Sequence, residues 1–165
     1  MEGMELMLKE RKESKFMHTV KEIFNDIVTL ANILEENDID TFKFPKECKL
    51  EAITEWEKEN NIQLPQGYKE FISLTNGFKY GGTQILPLEK IEMVNEPEEI
   101  KGYYMLGSYI GDGSLLLSDK FGRFYCDDHA FGIKETEFSL FLEEDILYYM
   151  KEREKTSYCL MVEGK

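Results

Sequence analysis

The sequence predicts an α+β fold, with helices first, an antiparallel-rich sheet second and a closing helix packed back on it. Three observations carry this. Apolar residues recur at three- and four-residue steps over residues 16–34 and again over residues 50–60. Beyond Gly77 that period gives way to short apolar runs separated by turn residues. From Phe138 the helical period returns.

Each element follows from its residues. Phe16, Val20, Ile23, Phe24, Ile27, Leu30, Ala31 and Leu34 form one helical stripe. The string "EENDIDTFKFPKE" breaks it, because Asn and Asp favour turns and Pro45 forbids a continuing helix. Leu50, Ile53 and Trp56, bordered by Ala52, mark the face of a second helix expected to end at Asn60-Asn61, where asparagine tolerates left-handed backbone. The stretch "IQLPQGYKEFISLTNG" at 62–77 reads as an extended link, then a helix opened by Pro65. Tyr68, Phe71, Ile72 and Thr75 are its apolar face, and Asn76-Gly77 its exit. "TQILPL" is a short strand, and "EKIEMVNEPEEIKG" an acidic connection with one helical turn. "YYMLGSYI" and "SLLLSD" are strands around Asp112-Gly113, a two-residue hairpin signal. "DKFGR" predicts a second hairpin turn, with Gly122 at a bulge, leading to the strand "FYCDD". The last helix is expected over residues 138–152, capped by Thr136 or Ser139, with a stripe of Phe138, Phe141, Leu142, Ile146, Tyr149 and Met150. "KTSYCLMVEGK" is expected to be an edge strand or a loose tail.

Length and composition bound the class. A chain of 165 residues suits one domain, expected to span residues 1–165. Thirty-three acids against twenty bases leave a net charge of −13, which repels nucleic acid and anionic membrane and attracts basic partners. Three widely spaced cysteines fit reduced thiols in the cytoplasm better than a disulfide framework. The N-terminus has no signal-peptide core, and no apolar run is long enough to span a bilayer.

Motifs for chemistry are sparse. "CDDH", Cys126–His129, is the one tight cluster of metal-ligating types. On a strand, neighbouring side chains point to opposite faces, so Cys126 and Asp128 do not readily share a site with Asp127 and His129. A closed zinc site also needs a second Cys/His pair, which the sequence lacks. No nucleophile elbow or phosphate-cradling loop occurs. The expectation is a non-enzymatic protein with no catalytic residue, no metal and no cofactor.

The order of features resembles the SUKH superfamily of fungal cell-wall-assembly regulators and bacterial immunity proteins. Glu57, Ile62, Leu64, Pro65, Tyr68, Phe71, Ile72, Asn76 and Gly77 stand at the family's steps. "ILPLEKI", "IGDGSLLLSD" and "FSLFLEED" resemble its next strand, its hairpin and its closing helix. Asn61 stands where the family commonly has glycine. The resemblance implies a helix hairpin packed on a twisted sheet. Residues 46–152 would be the family core, 1–45 an N-terminal helical segment and 153–165 the tail. It also implies function: an immunity protein that binds and blocks a cognate bacterial toxin, often a nuclease or nucleic-acid deaminase, as a monomer or weak dimer. The alternative is a regulatory or scaffolding module in the manner of the fungal members. For a basic toxin domain, the expected contacts are acids near sheet turns and strand ends, namely Asp112, Asp119, Asp127 and Asp128, with Tyr103 and Tyr104 as aromatic anchors.

Overall fold

A computed structural model describes residues 18–109, 113–128 and 132–163, with side chains through Thr156. Phe16, Asp112 and His129 lie outside the described residues.

The first helix, α1 (Val20–Glu36), begins where a capping box sets it. The Glu22 N–H donates to Thr19 Oγ1 at 3.1 Å and the Thr19 N–H to Glu22 Oε2 at 3.4 Å, satisfying two orphan donors reciprocally. Its stripe buries Val20, Ile23, Ile27, Leu30, Ala31 and Leu34. The connection that follows is extended, so Phe42 and Phe44 fall on one side. There they stack on Tyr80 and Phe78, at ring separations of 5.5 and 5.4 Å.

Helix α2 (Leu50–Asn60) ends on Asn61 at φ 53°, ψ 44°, the left-handed cap expected of asparagine. Its buried face is narrower than its periodicity predicts. Ile53 is buried and Trp56 half-buried, but Ala52 is exposed and Leu50 is 68% exposed. Leu50 is the first residue of the helix and its side chain stands largely in solvent. Helix α3 (Gln66–Ile72) stops before Thr75, earlier than expected. Thr75 is buried all the same, because its hydroxyl donates to the Pro45 carbonyl at 2.9 Å.

Among the described residues, seven strands form one sheet and every ladder is antiparallel. They are β1 (Phe78–Tyr80), β2 (Thr83–Ile85), β3 (Glu92–Met93), β4 (Tyr104–Tyr109), β5 (Ser114–Ser118), β6 (Phe124–Asp128) and β7 (Gly132–Glu135). The path is β1-β2-β4-β5-β6-β7, with β3 also paired to β4. β1, β3 and β7 are too short to show a period in the sequence. Tyr80 pairs with Thr83 across Gly81-Gly82, and Gly81 takes φ +57° at the first turn position. The last β4–β5 pair among the described residues is Tyr109 with Ser114, and the expected Asp112-Gly113 turn lies largely outside them. Where the register shifts between Met105 and Gly107, a Cβ on Gly107 would stand 2.0 Å from the Gln84 carbonyl oxygen, so only glycine lets β2 close on β4.

The closing helix, α4, starts as Phe138–Phe141, passes through a π-helical turn at Leu142–Leu147 and continues as Tyr148–Glu163. Neither expected cap is used: Glu137 occupies that position without a side-chain bond. The wider π turn moves the apolar stripe by one residue. Leu147 is buried in place of Tyr149, which is 51% exposed. The segment 153–163 is helical, not an edge strand or loose tail. It simply extends a helix that has already nucleated on the core.

The core lies between the helices and one face of the sheet. Phe138 and Phe141 of α4 reach Phe124 and Tyr109 at ring separations of 5.1 and 6.0 Å, while Phe71 of α3 meets Phe24 of α1 at 5.9 Å.

Candidate partner-binding surfaces

The block at residues 57–77 binds itself together. Glu57 Oε2 accepts the Leu64 N–H at 2.8 Å and faces Lys69 Nζ at 3.4 Å, which ties α2 to the link. Gln63 bridges to Phe121 in parallel, joining the link to the β5–β6 turn. A Cβ on Gly67 would stand 2.7 Å from the Phe138 Cβ, so glycine here admits α4 against α3. Tyr68 is fully buried and its hydroxyl donates to the Leu86 carbonyl at 2.6 Å. Burial, then the charges of Cys48 and Glu89, push its pKa well above the ordinary phenol range. Asn76 accepts the Leu88 N–H at 3.0 Å and donates to Glu89 at 3.1 Å. All these groups serve structure.

The sheet's other face is covered only in part. The segment from Val94 to Tyr103 crosses it, leaving a groove of about 400 Å³ lined by Glu99, Ile100, Leu115, Asp127, Asp128 and Ile133 among others. Its charged residues are all carboxylates. Two of the expected site residues, Asp127 and Asp128, therefore border one groove. Tyr103 lies on the same face, its ring edge-on to Tyr125 at 5.3 Å. Tyr104, next in sequence, points the other way and packs on the core, as strand alternation requires.

Asp119 organises the β5–β6 turn. It accepts the Phe121 and Arg123 N–H groups at 2.9 and 3.0 Å, the Arg123 Nε at 2.6 Å and the Tyr125 hydroxyl at 3.1 Å. Burial pushes its carboxyl up, but these bonds outweigh it and hold the group below the ordinary range. At the tip Phe121 is 62% exposed, with Lys120 Nζ and the Arg123 guanidinium at 5.1 and 5.6 Å from its ring centre.

A second surface escaped the sequence reading. A cleft of about 630 Å³ opens between the β1–β2 hairpin and α4, lined by Tyr80, Gly81, Asp145, Tyr149, Glu152 and Arg153 among others, with Asp40 closing one end. A smaller cavity of about 320 Å³ continues past Asp40 to Glu35 and Asp38. Arg153 Nε stands 3.5 Å from Asp40 Oδ2. That is a charge contact without hydrogen-bond geometry, and Asp40 Oδ2 is sealed from solvent with no bonded partner. Burial, then neighbouring Glu144, raise the Asp145 carboxyl to about 6. Tyr80 is also raised, by burial and then by Asp40. The traces in the sequence were Gly81-Gly82 and the spacing of Asp145, Tyr149 and Glu152, but the apolar stripe of the same helix masked them.

Both described thiols are raised above the ordinary cysteine range. Burial and then the Asp145 charge push Cys126 up to about 12, against a bond from Tyr109. Burial and then Glu89 raise Cys48. Among the described residues, no three metal-ligating side chains gather, and no helix is long and apolar enough to cross a membrane.

The antiparallel sheet and the self-bonded helix hairpin packed on it define a small α+β domain. Residues 47–157 match the model of the SMI1 / KNR4 family (SUKH-1), and the chain belongs to that family. It is 32% identical over 78 residues to a Bacillus subtilis (strain 168) protein named "Uncharacterized protein YnaB". That alignment covers 47% of this chain and 54% of the relative, so the chain spans about half the length of the curated relative it matches. No solved structure gives a significant match.

Proposed function

We propose that this protein acts by binding rather than catalysis, as an immunity protein that blocks a cognate toxin of basic surface, a nuclease or nucleic-acid deaminase, in the cytoplasm. The observation that carries this reading is membership of the SMI1 / KNR4 family over residues 47–157. The charge of −13 supports it, since opposite fields speed encounter with a basic partner and reject acidic ones. The reading places the partner at the open-face groove bordered by Asp127 and Asp128, with Tyr103 on the same face of the sheet against Tyr125. Asp112 belongs to the same proposed contact set. Asp119 contributes by shaping its turn, and Tyr104 by supporting the sheet.

The test is affinity capture of the tagged protein from its native lysate at low and high salt, with partners identified by mass spectrometry. The captured protein is then expressed in a naive host with and without this chain. One abundant basic partner that survives high salt and kills only the unprotected host is the expected result. Several unrelated partners with no killing would move the function to a regulatory module.

A further inference from the structure

The cleft between the β1–β2 hairpin and α4 is built unlike the rest of the surface. Along α4, Asp145, Tyr149 and Glu152 follow at steps of four and three and so share one face. The π-helical turn at Leu142–Leu147 contains Asp145, and such turns recur at functional sites because they forgo regular helix bonding. Asp145 is half-buried, yet among the described residues it has neither hydrogen bond nor ion pair. The cleft and its continuation carry five carboxylates, of Glu35, Asp38, Asp40, Asp145 and Glu152, against the two cations of Lys79 and Arg153. One of those cations already faces Asp40, and Lys155, outside the lining, stands 3.6 Å from Glu152 in a solvent-exposed pair weak enough for a partner's cation to displace. Tyr149 presents an exposed ring on the wall, and Tyr148 packs edge-on to it at 5.5 Å. An aromatic wall with convergent carboxylates is the surround that a guanidinium or ammonium group seeks.

We infer that this cleft docks a basic segment of the protein partner, with an arginine or lysine side chain seated between Asp145 and Glu152 against Tyr149. The inference rests on the binding reading above and adds the place and the chemistry of recognition. Arg153 on Asp40 shows within one molecule the contact that the partner's cation makes a turn away. Docking offsets the charge cost of holding Asp145 ionised.

The probe is an eight-residue peptide of alternating arginine and serine, titrated into the isotope-labelled full chain at low ionic strength, with a glutamate–serine peptide as control. The largest amide shifts are expected at Gly81, Gly82 and along residues 145–156. The double variant Asp145→Asn/Glu152→Gln lowers affinity about tenfold, while Asp127→Asn/Asp128→Asn changes it less than about twofold. Glu144, Glu152 and Arg153 share the helix of Asp145, Cys126 faces it from β6, and Asp40 and Lys79 stand on the other side of the cleft. Affinity therefore rises with pH through about 6 as Asp145 ionises, and Asp145→Asn removes that rise. Glu152→Gln alone, at a solvent-facing position, keeps the test open should the double variant misfold. Shifts scattered over the whole acidic surface, equal losses from the open-face variants, or no binding at all would overturn the inference. A captured toxin whose affinity ignores the cleft variants removes the cleft and leaves immunity intact. Peptide seated in the cleft with no toxin neutralised removes immunity and leaves the cleft.

Discussion

The signature block at residues 57–77 and the cleft beside α4 treat polar groups in opposite ways. In the block, Glu57, Tyr68, Thr75 and Asn76 each have a bonded partner at 2.6–3.1 Å, and Ile62, Leu64, Phe71 and Ile72 between them are buried. In the cleft, among the described residues, Asp145 has no hydrogen bond or ion pair, Asp40 keeps a sealed oxygen without a hydrogen bond, and Glu152 meets Lys155 only in a solvent-exposed pair. A satisfied polar network rigidifies a fold, whereas an unsatisfied one costs stability unless a ligand completes it. The block is therefore scaffold and the cleft a place to look for a partner. The motif that identifies the family and the surface that does its work need not coincide.

That contrast breaks most sharply at Phe71. Phe71→Ala removes a fully buried ring that contacts Phe24, Phe78 and Phe138, and is expected to cost about 3–5 kcal/mol in denaturant unfolding. A loss below about 1 kcal/mol would mean the block is not the core's centre. Gly107→Ala forces a Cβ onto the Gln84 carbonyl and is expected to cost about 2–3 kcal/mol, with amide exchange speeding up in β2 before β5. Glu57→Ala leaves the Leu64 N–H without its acceptor and is expected to cost about 1–2 kcal/mol. Glu57→Gln, which keeps an acceptor, should recover most of it.

Asp145→Asn has the opposite sign. The folded carboxyl is raised to about 6, so it binds its proton more tightly than in the unfolded chain. The penalty for folding grows as pH rises from the ordinary carboxylate range and is complete above about pH 6. The variant should melt higher than the parent by about 2–5 °C at pH 7.5 and at nearly the parent's own temperature at pH 4. The same shift at both pH values would show that packing, not charge, is responsible. A residue whose neutralisation stabilises the fold yet weakens binding fits a functional site. The smallest effect is expected at Phe121, where Phe121→Ser should leave stability within about 0.5 kcal/mol, since the ring is mostly in water.

The sequence by itself determined the class and most elements, because these rest on local chemistry. Asn61 as a left-handed cap, the apolar stripe of α1 and the runs of β4, β5 and β6 follow from near neighbours along the chain. It also placed Asp127 and Asp128 at a strand end. Other features came only with the tertiary structure. Thr75 is buried by a bond to Pro45, thirty positions away. Strand alternation separates Tyr103 from Tyr104, but only the packed helices say which face is open. The π turn exchanges Leu147 for Tyr149, and the cleft joins Asp40, Tyr80 and Asp145 from three distant segments. Local pattern reports the backbone's period, while a surface depends on which periods meet, and that is settled by packing across the chain.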